Sequence, residues 1–439
     1  MTARWIILVL MIGVQNMATA SFIMTFPNRG NSNTIDKRQP LSDNTGVRVM
    51  TKIKSRMAQQ TQSNRLEKRM QAVYKKKPIQ STGSCSLDFK DNFDHPMLVK
   101  KGQNKLMYPV IQGNSRMVII PPDTVVTASC PGPNNIISAT NADNYIEVTC
   151  TSGQLRGNEV NVDWNTLSCS TKLKPTLSCS PATDPTLNKM ELCTLKWDIA
   201  PQVEVIQYTS VIDPNLKTTL YTRHTLYGQD LDAKDFPSKK SPPFKETKFF
   251  PDVEEHYTNW NKNNAQAGLV ISRGHLAPNG DFVLRAEKDA TYFLVNAVPQ
   301  WEKINIGVWE AVENVVRKRN TKLEVWTGTY GVLELPQPIF LNPKNTVPVP
   351  AYIWKMIYDP GQQSSELIVS VNDITGKGTL KGAKLNVAPF CTDVKNAKCA
   401  CFPCPNLNVK VNKIFCCRAN DLRNTIKYLP TVQGTPGAG

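Results

Sequence analysis

The stretch SRGHLAP, residues 272–278, decides the fold of this chain together with Asn305 and Glu313 further along. It carries an imidazole beside a guanidinium, and an amide and a carboxylate follow on one predicted helix. A neutral imidazole accepts a proton from water near neutral pH, and Mg²⁺ binds proteins through a few oxygen atoms. Together these groups predict a metal-assisted site that hydrolyses a phosphate ester.

The residues around this stretch are predicted to form a strand, a loop, a second strand and a helix. Residues 268–272 are a short β-prone run that ends in a loop at Arg273, and residues 290–298 form a second run, closed by Pro299. Residues 305–319 have apolar side chains at helical spacing, with basic residues at the C-terminal end, where they suit the helix dipole.

The spacing of Asn305 and Glu313 predicts that they face the same side of this helix. Two residues eight positions apart on an ideal α-helix differ by about 80° in projection. The order of the elements then brings the loop that carries His275 against the start of the helix.

Three motifs in this order resemble the DNA/RNA non-specific endonucleases of the ββα-metal superfamily: Arg273-Gly274-His275, Asn296-x-x-Pro299-Gln300 and Asn305-x-x-x-Trp309-x-x-x-Glu313. The RGHLAP wording and the preceding cysteine-rich segment are most similar to the secreted arthropod branch, which includes insect double-stranded RNases and salivary nucleases. The resemblance covers residues 200–425 and, more weakly, the cysteine-rich segment. It implies an α+β fold, with a ββα-metal (His-Me finger) endonuclease domain preceded by a small disulfide-rich β module.

The resemblance also implies a role for each matching side chain. His275 would be the general base that activates a water molecule, and Asn305 the protein ligand of Mg²⁺ or of another divalent cation such as Mn²⁺. Arg273 would contact the phosphate, and Glu313 would orient the water around the ion. Asn296 is similar to the asparagine that lies near the catalytic histidine in the family.

Other positions match the family less closely. Lys217 falls where the bacterial members place an arginine that neutralises the transition state, and Arg223 is a candidate contact to phosphate. His224 is interpreted as a surface or core-edge residue. Ser272 stands where the bacterial members have an aspartate. Residues 279–281 are Asn-Gly-Asp, whereas relatives often carry an acidic residue at the first of these three positions.

The formal charge of +16 is concentrated near the N-terminus. Residues 21–84 carry 13 Lys and Arg against 3 acidic residues, or +10, which leaves +5 for residues 85–439 after the +1 of residues 1–20. The 21–84 segment has little apolar periodicity and contains basic pairs at 37–38 and 68–69. We expect either a disordered arm that binds a polyanion or a propeptide.

The N-terminus predicts export. Arg4 precedes an apolar run at 5–14 that is too short to span a bilayer, and 18–20 is a small-residue cleavage site. No other run approaches eighteen consecutive apolar residues, so we expect a soluble, secreted mature chain with no membrane partner.

Twelve cysteines fit an oxidising compartment, and their even number predicts disulfides of undetermined connectivity. The last six, between Cys391 and Cys417, are spaced C-x7-C-x-C-x2-C-x11-C-C. Zinc ligation is the alternative for this cluster, but export and the adjacent pair Cys416 and Cys417 favour disulfides.

The chain is predicted to divide into a signal peptide (1–20), a basic disordered segment or propeptide (21–84), a cysteine-rich β module (85–195), an endonuclease-type domain (200–428) and a flexible tail (429–439). The predicted function is a secreted, Mg²⁺-dependent, sugar-non-specific endonuclease. It would cut DNA and RNA to 5′-phosphate ends, independently of sequence and without a small-molecule cofactor. The alternative is a secreted nucleic-acid-binding protein on the same fold with little or no hydrolysis.

Overall fold

A computed structural model describes residues 83–89, 95–140, 142–157, 160–234, 241–335, 337–374, 391–393, 414–417 and 419–432. The predicted signal peptide and nearly all of the basic segment lie outside the described residues, as do Cys399, Cys401 and Cys404.

The described chain is mostly antiparallel β-structure. Its strands are β1 (Cys85–Asp88), β2 (Met97–Lys100), β3 (Val110–Gln112), β4 (Ser115–Ile120), β5 (Val125–Ser129), β6 (Tyr145–Thr151), β7 (Gln154–Gly157), β8 (Val160–Val162), β9 (Thr176–Pro181), β10 (Glu191–Ala200), β11 (Val203–Asp213), β12 (Thr218–Tyr227), β13 (Ile271–His275), β14 (Ala297–Trp301), β15 (Lys322–Val332), β16 (Pro350–Asp359), β17 (Ser364–Val371), β18 (Cys391–Asp393) and β19 (Ile414–Cys417). They form sheets in the orders β1-β4-β3, β2-β5-β6-β7-β8, β13-β14 and β18-β19-β17-β16-β15-β12-β11-β10-β9.

Helices are short and lie mainly between the strands of the second half. They are α1 (Val253–Asn264), α2 (Arg285–Asp289), a π-helix (Ile304–Trp309), α3 (Glu310–Arg317) and α4 (Ala419–Arg423), with 3₁₀ turns at Trp164–Thr166, Pro185–Leu187, Gly228–Ala233, Ala265–Ala267, Asn279–Asp281 and Leu294–Asn296. None of the helices in the described residues has the length and apolar character needed to cross a bilayer.

Two small sheets, β1-β4-β3 and β2-β5-β6-β7-β8, form the cysteine-rich module. Disulfides Cys85–Cys150 and Cys130–Cys169 link its segments. These cross-links join residues far apart in sequence and limit the freedom of the unfolded chain, which stabilises the folded module.

The module docks on the larger domain through polar contacts as well as through its core. The hydroxyl of Tyr108 donates to Oε1 of buried Glu287 at 2.8 Å, and Lys105 pairs with Asp230 at 3.0 Å. Because Glu287 lies in α2, the module braces the helix that precedes the second strand of the β13-β14 pair.

The nine-stranded sheet is the centre of the larger domain. It begins at Thr176, upstream of the predicted domain start at 200, and the disulfide Cys179–Cys193 joins its strands β9 and β10. At the other end of the domain, Leu429 and Val432 are buried, although the sequence predicts a flexible tail from 429. Their apolar side chains complete the hydrophobic core there.

The strands β13 and β14 differ in their limits from the predicted ones. The first runs on through Arg273 to His275, and the second begins only at Ala297. Most of the apolar run 290–296 is instead a buried turn, because a short continuous apolar run fits a buried non-strand segment as well as a strand. Pro299 lies within β14, where a two-stranded sheet tolerates a residue that cannot donate a backbone hydrogen bond.

The predicted helix 305–319 is present in two parts. Its first turn and a half is the π-helix Ile304–Trp309, which continues into α3. A π-turn contains an extra residue and is rare outside functional sites, so the ideal α-helical projection does not describe this segment.

Gly274 is required by the close approach of the two strands. A Cβ atom at this position would stand 2.3 Å from Oε1 and 2.9 Å from Cβ of Gln300 on β14. The glycine of the RGH motif therefore lets the Gln300 side chain cross over β13.

We predict that Gly274→Ala lowers the free energy of unfolding by about 1–3 kcal/mol, because the added methyl group overpacks this crossing. The matched control is Gly307→Ala in the π-helix, where an added Cβ meets nothing within 4 Å. That variant should be neutral or more stable by up to about 1 kcal/mol. Chemical denaturation of both variants tests this, and equal stabilities would contradict it.

Candidate active site

A cavity of about 480 Å³ lies beside the end of β13 and the π-helix. His275, Asn305 and Glu313 all line it, together with Arg317. The structure thus brings three of the predicted site residues to one cavity, although they are far apart along the chain.

The His275 ring lies between two aromatic side chains. Its centroid is 5.0 Å from the ring of Phe244 and 4.7 Å from that of Tyr292, which meets it edge-on. Its Nε2 atom is covered and has no hydrogen-bond partner among the described residues. Burial lowers the pKa of His275 to about 4, so the ring is neutral at physiological pH.

Asn296 holds the segment that follows His275. Its side-chain oxygen accepts a hydrogen bond from the amide of Ala277 at 2.8 Å, and its Nδ2 donates to the carbonyl oxygens of Ala277 at 2.9 Å and Thr291 at 3.0 Å. Asn296 is fully buried. Its side chain therefore holds the backbone of the loop after His275, and it does not line the cavity.

Asn305 lines the cavity from the first turn of the π-helix. The residue is half-buried, and its side chain makes no hydrogen bond within the described part of the chain. The same part of the chain contains no group of three His, Cys, Asp or Glu residues suited to a metal ion. An uncommitted amide oxygen with a carboxylate nearby fits Mg²⁺, which keeps several waters and uses few protein ligands.

Glu313 is held by a network of buried charges. Its Oε2 accepts from Arg317 at 3.0 Å, and Nε of Arg317 donates to Oδ1 of Asp281 at 2.6 Å. Asp281 also contacts Nε2 of His224 at 2.9 Å, and both of these side chains are almost completely buried. The network links α3 to the turn after His275 and to strand β12.

The charges in this network act on one another. Burial raises the pKa of Asp281, but Arg317 and His224 outweigh it and hold the pKa well below its usual range. Burial raises the pKa of Glu313, and Arg317 and Lys355 only partly oppose this rise. Lys355 of β16 is 1% exposed and donates to Oγ1 of Thr327 at 2.6 Å, and burial lowers its pKa.

Gly280 explains how Arg317 reaches across to Asp281. A Cβ atom at Gly280 would lie 2.7 Å from Cζ of the Arg317 guanidinium. The missing side chain leaves room for the guanidinium against the backbone of the turn.

The remaining predicted site residues do not line the cavity. Arg273 is paired instead with Glu254 of α1, with Nε to Oε2 at 2.7 Å, and its guanidinium lies over the ring of Tyr257. Lys217 lies in the turn between β11 and β12 and donates to the carbonyl oxygen of Pro251 at 3.5 Å. Arg223 is exposed on β12, stacks on Trp326 and pairs with Glu324 at 3.2 Å.

Several residues of the site were not predicted from the sequence. Arg317 follows Glu313 by four positions, a spacing at which opposite charges pair on a helix, so a signal for it was present. His224 was expected at the surface or the edge of the core but is buried. Asp281 and Lys355 carry no local signal, because their partners are distant in sequence.

Comparison with known proteins identifies the class. Residues 194–422, more than half of the chain, match the family described as DNA/RNA non-specific endonuclease. The chain therefore belongs to this family, and the predicted fold and the predicted enzyme class, an endonuclease, are confirmed.

Relatives support the secreted insect branch within the family. The chain is 39% identical over 112 residues to a salivary endonuclease of Lutzomyia longipalpis, covering 24% of this chain and 27% of the relative. It is 22% identical over 386 residues to salivary protein Tsal1 of Glossina morsitans morsitans, covering 79% of this chain and 91% of the relative. A mitochondrial nuclease EXOG of Danio rerio is 34% identical over 137 residues, 28% of this chain and 39% of the relative. The matched segments thus span little more than a quarter of the Lutzomyia protein and most of the Glossina protein.

We predict that Asp281→Asn destabilises the fold by about 3–5 kcal/mol, because it breaks a buried ion pair and leaves the guanidinium of Arg317 with one of its two carboxylates. The control is Asp198→Asn, since Asp198 is half-exposed and its ion pair with Lys196 is a surface pair worth about 0–1 kcal/mol. Denaturant unfolding of both variants is the measurement. A loss below about 1 kcal/mol in Asp281→Asn would show that Arg317 does not depend on this carboxylate.

Proposed function

We propose that this protein is a secreted, Mg²⁺-dependent endonuclease that hydrolyses phosphodiester bonds in DNA and RNA without sequence preference. The observation that carries the proposal is the meeting of His275, Asn305 and Glu313 at one cavity. A proton acceptor, an amide oxygen and a carboxylate in one enclosed space are what metal-assisted hydrolysis of a phosphodiester requires.

In this proposal the neutral His275 ring takes a proton from a water molecule, whose oxygen attacks phosphorus. Phe244 and Tyr292 limit the ring's movement and keep it in its neutral form. The leaving 3′ oxygen takes up a proton from solvent, so the products carry 5′-phosphate and 3′-hydroxyl ends. No covalent intermediate with the protein is needed.

Asn305 would hold the divalent cation, with Glu313 orienting the water around it. Bound there, Mg²⁺ or Mn²⁺ would stabilise negative charge on the phosphate and on the leaving oxygen. Asn296 positions the His275 loop, and the Arg317–Asp281 pair positions Glu313.

Arg273 is proposed as a phosphate contact, which requires its guanidinium to exchange the Glu254 carboxylate for the phosphate. A carboxylate and a phosphate each accept two parallel N–H donors from one guanidinium, so the phosphate can replace the carboxylate. Lys217 and Arg223 would meet the polymer outside the cavity and take part in no chemical step.

We also propose that the protein acts outside the cell. Its N-terminus has the features of a signal peptide, and three disulfides lie in the described residues, with Cys417 in a further one. Disulfides persist in oxidising compartments. The relatives named as salivary proteins point the same way.

The alternative is a nucleic-acid-binding protein on the same fold with little hydrolysis. The match with Tsal1 covers most of both chains at low identity, and this is compatible with a shared fold and a different function. The presence of His275, Asn305 and Glu313 at one cavity favours the enzyme.

The test is cleavage of plasmid DNA and of double-stranded RNA by the purified secreted protein. The wild type should cut both in millimolar Mg²⁺ and neither in EDTA. His275→Ala should lose about 10²–10⁴-fold in rate, the usual contribution of a general base, while binding DNA within a few fold of wild type. Asn305→Ala should need more Mg²⁺ for the same rate.

The matched control is His256→Ala, a histidine of α1 that does not line the cavity. It should cut at the wild-type rate. Tight binding of DNA with no cleavage in any metal would favour the binding-protein alternative, and unchanged cleavage in His275→Ala would remove the assigned base.

The pH dependence follows from the environment of His275. The ordinary histidine pKa near 6.5 predicts loss of activity below about pH 6–7, but burial lowers this pKa to about 4. The neutral ring is the active form, so kcat/KM should hold down to about pH 5 and fall only as the pH drops through about 4. A pH–rate profile, with folding checked at each pH by fluorescence, measures this; half-maximal activity near pH 6.5 would contradict it.

A further inference from the structure

Four cations line the described part of the cavity, and they differ in what holds them. Arg317 is committed to Asp281 and Glu313. Arg285 pairs with Asp289 at 3.2 Å, and Lys288 is buried. Lys234, at the end of the turn after β12, takes part in none of the ion pairs formed among the described residues.

Lys234 is placed close to another positive charge. The residue as a whole is exposed, yet its ammonium is partly withdrawn from water, which lowers its pKa. The nearby Arg317 lowers the pKa further, whereas Asp281 and Asp232 raise it. Arg317 already pairs with Asp281 and Glu313, whereas the exposed Lys234 can still pair with an anion that approaches from solvent.

The place of Lys234 identifies the anion. The ammonium lines the same cavity as His275, Asn305 and Glu313, where the proposed function puts the phosphate that is cut. Arg273, the cation predicted to contact phosphate, is held by Glu254 and lies outside the lining. A compact ammonium on a flexible stem suits a phosphate oxygen approaching from solvent.

We infer that Lys234 is a substrate-binding residue, whose ammonium contacts a backbone phosphate of a nucleic acid strand bound in the cavity. The inference rests on the proposed function for the identity of the strand. It needs no hydrolysis, because binding of the phosphate precedes any chemistry.

The test measures binding alone, in full-length secreted protein carrying His275→Ala and in EDTA, so that no strand is cut. The dissociation constant for a short DNA duplex is followed by fluorescence anisotropy over a series of salt concentrations. Lys234→Gln should reduce the slope of log K against log salt by about 0.9, the loss of one phosphate contact. Lys234→Arg should restore most of the slope, because it keeps the charge.

The matched control is Lys322→Gln, which removes an exposed lysine at the start of β15 that does not line the cavity. It should leave the slope unchanged. An unchanged slope in Lys234→Gln, or an equal loss in Lys322→Gln, would overturn the inference.

A second arm separates the polymer from free phosphate as the anion. Inorganic phosphate is titrated against the bound duplex in two proteins, one that keeps Lys234 and one that carries Lys234→Gln. If Lys234→Gln weakens competition by inorganic phosphate but leaves the duplex slope intact, Lys234 takes a free phosphate and the inference is wrong. Because binding is read without turnover, a wild type that fails to cleave would sink the proposed function and not this contact.

Discussion

The buried pair of Arg317 and Asp281 is the interaction on which the arrangement of the site depends. It joins helix α3 to the turn that follows His275, two segments that share no strand pairing. A guanidinium removed from water is costly unless it is fully paired. Here two carboxylates pair with it, and the absent side chain of Gly280 leaves room for it. The distance between the two halves of the cavity is therefore set by charge pairing and not by apolar packing alone.

The two sides of the cavity treat their ionisable groups differently. Around His275 the neighbours are aromatic rings, which offer no charge to stabilise an imidazolium. Around Glu313 burial is equally deep, but Arg317 and Lys355 supply positive charge. Burial lowers the pKa of His275 and raises the pKa of Glu313, so it favours the neutral form of both groups. Only Glu313 has neighbouring cations that oppose the shift. This contrast leaves His275 as a neutral proton acceptor, whereas the rise in the pKa of Glu313 is opposed by two nearby cations.

The sequence was sufficient for the fold class and for the placing of His275, Asn305 and Glu313 at one cavity, because three spaced motifs in order resemble one family. It was not sufficient for the boundaries. Pro299 was expected to end a strand, but it lies inside one, since the run before it is buried as a turn. No sequence pattern distinguishes the π-turn from the rest of the predicted helix. The groups that act on Arg317 and Glu313 include Asp281 of the 279–281 turn and Lys355 of β16, and His224 of β12 joins the network through Asp281. Contacts across such distances in sequence produce no periodic pattern.

The docking of the cysteine-rich module has a consequence for how the protein can be divided. The family match begins at Thr194, inside β10 and one residue after Cys193. A fragment trimmed to that match would cut the strand, remove β9 with Cys179, and leave the carboxylate of Glu287 without the Tyr108 hydroxyl. A piece that keeps both the Tyr108–Glu287 hydrogen bond and the Cys85–Cys150 disulfide therefore includes β1. The trimmed fragment would also expose what remains of β10 as a new sheet edge, and such an edge invites aggregation.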